Sequence, residues 1–177
     1  LVLGRRFLKC AQLETCTAIL MTIFNDYNKW LADKKANKID SFSGEYHFLS
    51  NFYPCEVCYQ GLTYLNVEAA FQSAKTMNME IRKEFCQMPP NIAKRKGRNL
   101  ILRRDWETVK DEVMYQCVLD KFSRNTNLKK KLLSTGDAEL IEGNTWNDRY
   151  WGVCKGVGKN TLGKILMKVR EELKVTE

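Results

Sequence analysis

Histidine is almost absent from this chain, since His47 is the only one among 177 residues. The body of the chain has one closely spaced cysteine pair, Cys55 and Cys58, whereas a zinc ribbon needs a second such pair or a pair of histidines. No apolar run approaches the roughly 18 residues that a membrane-spanning helix needs. We therefore expect no metal site, no redox cofactor and no membrane span.

Recognisable signals for secretion and thiol redox chemistry are also missing. Arg5, Arg6 and Lys9 are followed by no continuous apolar stretch, so a secretory signal is not predicted. The seven cysteines are odd in number, and Cys55-Cys58 lies in a strand-like run, not before a helix as a thioredoxin-type motif would. Cysteines without a disulfide pattern are typical of a reducing compartment. We expect a cytoplasmic protein whose thiols are mostly buried and reduced.

What the chain has in excess is positive charge. Its formal net charge is +8, while its 44% hydrophobic and 28% charged content are those of an ordinary globular protein. This charge favours a polyanionic partner or a phosphate-bearing ligand without choosing between them. The densest part is the basic run, residues 94–104, which is either a solvated face or a contact for DNA or phosphate. Its cations are Lys94, Arg95, Lys96, Arg98, Arg103 and Arg104.

The first 38 residues differ from the rest of the chain. We expect residues 1–38 to form a tail with a short amphipathic helix from Phe24 to about Lys35. Residues 1–20 show no clear periodicity and Met21 follows them, so this stretch is expected to be an extension or a non-native segment. Residues 39–175 are expected to form one folded domain.

The stretch Val67–Lys75, VEAAFQSAK, predicts a helix that begins beside Asn66, a good N-cap residue. Glu68, Gln72 and Lys75 recur at i, i+4 and i+7 and therefore share one face. A carboxylate, an amide and an amine in one row have two interpretations. They are either a solvated stripe, that is, a solvent-exposed polar face of the helix, or a row of catalytic groups. These residues alone favour the solvated stripe.

The segment Ile39–Leu65 is rich in aromatic residues and predicts the β part of the fold, with a hairpin turn at Gln60-Gly61. Within it, Leu49–Phe52 is either a simple turn or a polar floor in an aromatic pocket. His47 is expected to be structural, because it lies among aromatic residues in a strand-like run.

Apolar periodicity predicts further helices, and one irregular loop separates the last of them from the rest. The loop, residues 142–152, has two tryptophans around Asn147-Asp148 and is either a binding loop or an Asx-turn with packed aromatic rings. The predicted helices are Glu80–Gln87 (ended by Pro89-Pro90), Trp106–Phe122, Leu128–Leu133 and Thr161–Leu173, with a short strand at Ala138–Ile141.

Several motifs together resemble one known family. In order and spacing they are similar to the NADAR family, also called the YbiA-like family, over Ile39–Leu173. The motifs are LSNF at 49–52, EAAFQSAK at 68–75, GRNLILRRDW at 97–106, KF at 121–122, LLSTG at 132–136, NDRYWG at 147–152 and GKNTLGKILMKVR at 158–170. The resemblance implies a compact, mostly helical α+β single domain with a small β-hairpin or sheet portion.

The resemblance also implies an N-glycosidase that cuts the bond between a ribose and an exocyclic amine of a heterocycle. Some family members resemble enzymes that split phosphoribosylated aminopyrimidine intermediates of riboflavin synthesis, and others remove ADP-ribose from guanine in DNA. The expected partners are a phosphoribosyl or ADP-ribosyl substrate, and DNA through residues 94–104. The alternatives are a binding module for ADP-ribose or nucleic acid without turnover, and a plain nucleic-acid-binding domain. The oligomeric state stays open.

By resemblance, Glu68, Lys75 and Asp148 fall on the catalytic positions. Either the Lys75 amine captures the ring-opened sugar as a Schiff base, or water attacks an oxocarbenium-like sugar that a nearby carboxylate stabilises. In both routes Glu68 would pass protons to the leaving amine or to water. The expected substrate contacts are Ser50 and Asn51 on ribose hydroxyls, Arg98 on the phosphate with Arg103 a weaker candidate, Tyr150 and Trp151 on the base, and also Phe52, Gln72 and Asn147.

Two positions depart from the family pattern. Ala69 stands where many members have histidine, so a histidine base at that position is not expected. Trp146 occupies a loop position that is often acidic or polar, and this change is expected to alter base selectivity.

Overall fold

The structure, a computed structural model, describes residues 20–25, 27–28 and 37–175. Its contacts divide the chain into two units, Leu1–Lys38 and Ile39–Glu177. In the first unit, residues 20–25 and 27–28 are helical (α1) and exposed. The expected tail before residue 20 and the part of the predicted helix around Trp30 and Leu31 lie outside the described residues.

From residue 38 onwards the chain is mostly helical, with short strands. Strand β1 pairs with β4, β2 pairs with β3 in an antiparallel hairpin, and β5 pairs with β6 in parallel. This mixture confirms the expected α+β class. The elements are β1 (Lys38–Ile39), a 3-10 helix (Gly44–Leu49), β2 (Val57–Tyr59), β3 (Leu62–Tyr64), α2 (Val67–Ser73), α3 (Met79–Lys83), α4 (Pro90–Gly97), α5 (Trp106–Arg124), α6 (Thr126–Ser134), β4 (Glu139–Leu140), β5 (Gly143–Asn144), β6 (Val153–Cys154) and α7 (Thr161–Val175).

Helix α5 forms the centre of this unit. It packs against α7 on one side and against the β2–β3 hairpin and α2 on others. Its buried apolar stripe includes Val113, Met114, Val118 and Phe122. Among the described residues, no helix has the length and apolar character needed to cross a membrane.

The β2–β3 hairpin turns where the sequence predicts. Val57 pairs with Tyr64 and Tyr59 pairs with Leu62, which leaves Gln60 and Gly61 as the loop. Both loop residues have positive φ, 47° and 79° respectively. Two consecutive positive φ values are typical of the type I′ turn, whose twist matches that of the flanking strands. The predicted turn is confirmed.

The segment before the hairpin differs from the β structure expected for it. Residues 44–49 form a 3-10 helix, in which the Tyr46 N–H donates to the Ser43 carbonyl at 3.0 Å. The adjacent residues Phe48 and Leu49 are both buried. Neighbouring side chains of a strand point to opposite faces, so a half-buried strand cannot bury both, whereas a tight helical turn can. His47 accordingly lies in this helix and is exposed, not within a strand.

Helix α4 is the largest departure from the predicted secondary structure. The Pro89-Pro90 pair was expected only to end a helix, and it does follow α3, which stops early at Lys83. Pro90 also begins α4, because a proline at the first helical position loses no hydrogen bond and has its φ preset. The first part of the basic run, Lys94 to Lys96, is therefore helical.

Helices α2 and α4 approach each other closely at Gly97. A Cβ added at Gly97 would lie 1.9 Å from Gln72 Oε1 and 2.9 Å from Gln72 Cβ. Neither distance is tolerable, and Gln72 Cβ belongs to the rigid part of a buried helix. Glycine at position 97 therefore lets the two helices meet.

Replacement of Gly97 by alanine is expected to destabilise the protein. Overpacking of a close interface typically costs about 1–3 kcal/mol, which outweighs the small gain in helix propensity. Urea denaturation of Gly97→Ala should show a lower midpoint, while the dependence of the free energy of unfolding on urea concentration stays unchanged. Asn99→Ala, an exposed change just past the same helix, serves as the control and should unfold like the wild type.

A double variant tests the proposed cause. Adding Gln72→Ala to Gly97→Ala removes Oε1 and Cδ, so part of the lost stability should return relative to the sum of the two single changes. Strictly additive effects would show that the Gln72 clash is not the reason for the glycine.

Candidate active site

A cavity of about 1060 Å³ opens between α2, α4, the start of α5 and the loop of residues 142–151. This is large enough for a phosphorylated sugar together with a heterocycle. With two exceptions, Asn147 and the weaker candidate Arg103, the structure brings the predicted site residues to its lining. They are Glu68, Lys75, Asp148, Ser50, Asn51, Phe52, Gln72, Arg98, Tyr150 and Trp151.

Glu68 and Gln72 are buried in the wall of the cavity, each with 6% of its surface exposed. Helix α2 begins at the predicted N-cap, where the Asn66 side chain accepts a hydrogen bond from the Ala69 N–H at 2.7 Å. Gln72 Nε2 donates to Glu68 Oε1 at 2.9 Å. A solvated stripe is thereby excluded for these two residues, although it was the interpretation that the local sequence favoured.

The electrostatics of Glu68 combine burial with nearby cations. Burial raises the pKa of Glu68, because a carboxylate loses its water. The Gln72 hydrogen bond, together with the charges of Lys94, Lys75 and Arg98, opposes this rise. Glu68 is therefore a buried carboxyl whose charged form depends on the cations around it.

Lys75 lies just beyond α2, which ends at Ser73, two residues before the predicted end. Its Nζ donates to the Gly97 carbonyl at 3.3 Å and lies 5.9 Å from the centre of the Trp106 ring. Burial lowers the pKa of Lys75, the Glu68 charge raises it, and Arg98 and Lys94 lower it further. A lowered pKa increases the fraction of neutral amine, the form that attacks a carbonyl or imine carbon.

The Ser50–Phe52 segment is both a turn and part of the cavity floor. The Phe52 N–H donates to Ser50 Oγ at 3.1 Å, and the Asn51 carbonyl accepts from the Glu68 N–H at 3.1 Å. Asn51 Oδ1 is buried without a hydrogen-bond partner, although its amide nitrogen contacts the Met114 sulfur at 3.4 Å. The floor thus contains a polar atom whose hydrogen-bonding capacity is unused.

Lys121 holds this floor from behind, a role that the sequence analysis missed. Its Nζ donates to the Ser50 carbonyl at 2.8 Å, and the side chain is fully buried in the core. Burial lowers the pKa of Lys121 to about 8. Lys121 continues the apolar row Val113–Cys117 at helical spacing, and a lysine in such a row is the signal by which it could have been found.

Asp148 organises the aromatic wall. Its Oδ1 accepts the N–H groups of Tyr150 at 3.1 Å and Trp151 at 2.9 Å, which is the Asx-turn considered for this loop. The Trp151 ring packs edge-on against Phe71 with ring centres 5.2 Å apart, and against Tyr150 at 5.1 Å. The turn interpretation and the binding-loop interpretation are therefore compatible.

Asn147 is one of the two predicted site residues that the structure leaves outside the cavity, Arg103 being the other. It is exposed and adopts φ 65°, a left-handed conformation that asparagine tolerates. This left-handed backbone conformation changes the direction of the chain immediately before Asp148. The geometry offers no support for its predicted contact with a substrate.

The basic run divides into two groups in the structure. Lys94, Arg95 and Arg98 line the cavity, with Lys94 Nζ near the rings of Phe52 at 5.4 Å and Trp146 at 5.9 Å. Other members form ion pairs away from it, as Lys96 does with Glu84 and Arg103 with Asp105. Trp146 itself is 61% exposed. The mouth of the cavity therefore presents positive charge beside an open aromatic ring.

Glu142 is a second carboxyl that the sequence analysis placed in the loop without a role. Glu142 lines the cavity. Burial and the charges of Asp148 and Glu68 raise its pKa to about 7, while the charge of Lys94 lowers it. Its signal in the sequence is weak, because it stands next to Gly143 in an irregular segment. His47 also lines the cavity, with its ring edge-on to Tyr53 at 5.5 Å.

Comparison with known proteins places these features in a family. The NADAR domain model matches residues 37–174. N-glycosidase YbiA of Shigella boydii is 39% identical over 139 residues, covering 76% of this chain and 86% of the relative. N-glycosidase Npun_R5314 of Nostoc punctiforme is 36% identical, covering 73% and 86%.

Two further matches extend this picture. Riboflavin biosynthesis protein VVA0006 of Vibrio vulnificus is 38% identical over 71% of this chain, but only 35% of that longer protein is covered. The NMR structure of Escherichia coli YbiA superposes with a TM-score of 0.70 at 35% identity, covering 79% of this chain and 87% of that one. These matches confirm the expected fold and the expectation of an N-glycosyl hydrolase, and the chain belongs to the NADAR domain family.

Proposed function

We propose that the protein hydrolyses the bond between C1′ of a phosphorylated ribose and an exocyclic amine of a heterocycle. The observation that carries this proposal is the group of buried Glu68 and Gln72 and half-buried Lys75 in one wall of a cavity lined by cations. A carboxyl and an amine withdrawn from water in this way are costly unless they are used or paired. Relatives named N-glycosidases share most of the chain, which supports the same chemistry here.

Lys75 is the proposed nucleophile. In a glycosylamine the electron pair of the exocyclic nitrogen forms a C1′=N bond while the C1′–O4′ bond breaks and O4′ takes a proton. The neutral Lys75 amine then adds to C1′, and the heterocycle leaves as its free amine after gaining a proton. Water hydrolyses the remaining Lys75 imine, which restores the lysine and releases the sugar aldehyde, and this closes to ribose.

Glu68 is the proposed proton carrier beside this amine. It faces the same cavity and its charge is felt by Lys75. As a carboxylate it stabilises the cationic imine, and it takes the proton of the attacking water. Gln72 fixes its orientation through the hydrogen bond to Oε1. A direct attack of water on an oxocarbenium-like C1′ would use the same carboxylate, and the trapping experiment below separates the two routes.

The remaining lining residues suit the two ends of such a substrate. Arg98 and Arg95 present guanidinium groups that match a phosphate, and Lys94 adds a point charge. Trp151 and Tyr150 offer aromatic surface for the heterocycle. Ser50 and Asn51 are the proposed partners of the ribose hydroxyls.

Two substrate classes share this chemistry, and the cavity mouth favours the larger one. The exposed Trp146 ring beside Lys94 is suited to stacking on a second base and to a nearby backbone phosphate. The net charge of +8 agrees with a nucleic-acid substrate. We therefore propose ADP-ribosylated guanine in DNA as the substrate, ahead of a phosphoribosylamino-pyrimidine.

A paired turnover assay with mass-spectrometric detection tests the substrate. One arm offers a DNA oligonucleotide that carries ADP-ribosyl guanine, and the other offers phosphoribosylamino-pyrimidines. We expect free ADP-ribose and restored guanine in the first arm. Release of ribose 5-phosphate in the second arm alone would assign the enzyme to small metabolites. Tight binding without product in either arm would instead identify a binding module.

Replacement of Glu68 by glutamine is expected to lower kcat by about 10²–10⁴ while the protein stays folded, because the amide cannot accept a proton. Steady-state kinetics and circular dichroism measure the two properties. Glu84→Gln, on the outside of the same region, is the matched control and should keep full activity. Unchanged turnover in Glu68→Gln would remove Glu68 from the mechanism.

Borohydride trapping tests the role of Lys75. Reduction of a Lys75 imine during turnover should attach the sugar irreversibly to the peptide that contains Lys75, which peptide mass spectrometry detects. Lys75→Arg keeps the charge but cannot form the imine, so it should show no adduct and little turnover, whereas Lys96→Arg should behave like the wild type. Full turnover in Lys75→Arg, or turnover of the wild type without any adduct, would favour direct attack by water.

A further inference from the structure

Glu142 differs from the other carboxyl groups in the lining of the cavity. Glu68 accepts a hydrogen bond from Gln72, Asp148 accepts two backbone N–H groups, and Glu107 pairs with Lys110. Within residues 37–175, Glu142 Oε2 is buried and has no hydrogen-bond partner. A buried polar atom without a partner is rare in a native protein, and a catalytic role is one of the known reasons for it.

The backbone around Glu142 is held on both sides, which fixes where its side chain begins. Its N–H donates to Asn160 Oδ1 at 3.1 Å, and its carbonyl accepts the Val153 N–H at 2.8 Å. A Cβ added at Gly152 would lie 2.1 Å from the Glu142 carbonyl oxygen and 3.0 Å from its Cγ. Glycine at 152 therefore lets the β6 segment lie directly against Glu142.

The charges around Glu142 and Glu68 differ in sign. Burial has the largest effect on Glu68 and raises its pKa, while the Gln72 amide and the charges of three cations oppose that rise. The groups that act on Glu142 are the carboxylates of Asp148 and Glu68, which favour its protonated form, and Lys94, which opposes them. Together with burial they raise the pKa of Glu142 to about 7. Two carboxyls that line one cavity and have neighbours of different charge are suited to divide the roles of acid and base between them.

We infer that Glu142 is the acid that donates a proton to the exocyclic amine when its bond to C1′ breaks, an assignment that rests on the proposed function. In this step the electron pair of the C1′–N bond goes to nitrogen, and the proton of the Glu142 carboxyl joins it, so that a neutral amine leaves. Glu142 becomes a carboxylate and recovers a proton from solvent before the next turnover, while Glu68 returns to solvent the proton that it takes from the attacking water. The step is the same whether Lys75 or water displaces the amine.

Glu142→Gln tests this assignment, because glutamine keeps the shape but cannot donate an acidic proton. Its kcat for the substrate that the wild type turns over should fall by about 10²–10³. The wild-type kcat should fall as pH rises through about 7, since the protonated carboxyl is the active form below that pH. This alkaline decline should be absent from the residual activity of Glu142→Gln. Glu139→Gln, an exposed change on β4, should match the wild type in both measurements.

The conservative variant separates chemistry from loss of structure. Glu142→Asp retains an acid, so on the same amine substrate it should turn over faster than Glu142→Gln and should keep the alkaline decline with a shifted midpoint. Circular dichroism should show all three proteins equally folded. A Glu142→Gln profile that still declines through pH 7, or a Glu142→Asp variant no faster than Glu142→Gln, would overturn the assignment.

Failure of the inference and failure of the proposed function give different results. If the wild type turns over neither the ADP-ribosyl nor the phosphoribosyl substrate, the proposed function fails. If the wild type is active and Glu142→Gln is equally active on the amine substrate, only the assignment of Glu142 fails.

Discussion

The close approach of α2 and α4 at Gly97 determines most of the candidate site. With no side chain at position 97, the last turn of α4 reaches the Gln72 side chain and presents its carbonyl to Lys75 Nζ. The same contact brings Lys94 and Arg98, one turn before and one residue after the glycine, into the electrostatic environment of Glu68. One missing Cβ therefore positions an amide, an amine and two cations around one buried carboxyl.

That arrangement also explains how the fold tolerates charge inside its core. An isolated buried carboxylate would shift its pKa until it became neutral, and a lone buried amine would do the same in the opposite direction. In this protein Glu68 and Lys75 each favour the charged form of the other, while burial acts against both. The two opposing effects act on both groups, so the charge state of each depends on the other.

The sequence predicts the parts of this structure that depend on local chemistry. The Asn66 cap, the Gln60-Gly61 turn and the long α5 stripe follow from residues that are neighbours in the chain. It does not predict features that depend on tertiary contacts. The end of α2 before Lys75, the need for glycine at 97 and the position of Glu142 against Gly152 arise from segments far apart in sequence. Aromatic density predicts strands across Gly44–Leu49, whereas the burial of the adjacent residues Phe48 and Leu49 requires the 3-10 helix.

The loop of residues 142–152 shows why alternatives that look exclusive in a sequence are not exclusive in a structure. Asp148 forms an Asx-turn, and that turn is what aims Tyr150 and Trp151 at the cavity. In the same loop, backbone hydrogen bonds to Asn160 and Val153 hold Glu142, while its carboxyl oxygen stays unpaired. The backbone N–H and carbonyl of Glu142 thus have hydrogen-bond partners, whereas its Oε2 has none. A loop with few regular strands can in this way be as precise a support for chemistry as a helix, because its precision comes from the number of backbone bonds and not from their periodicity.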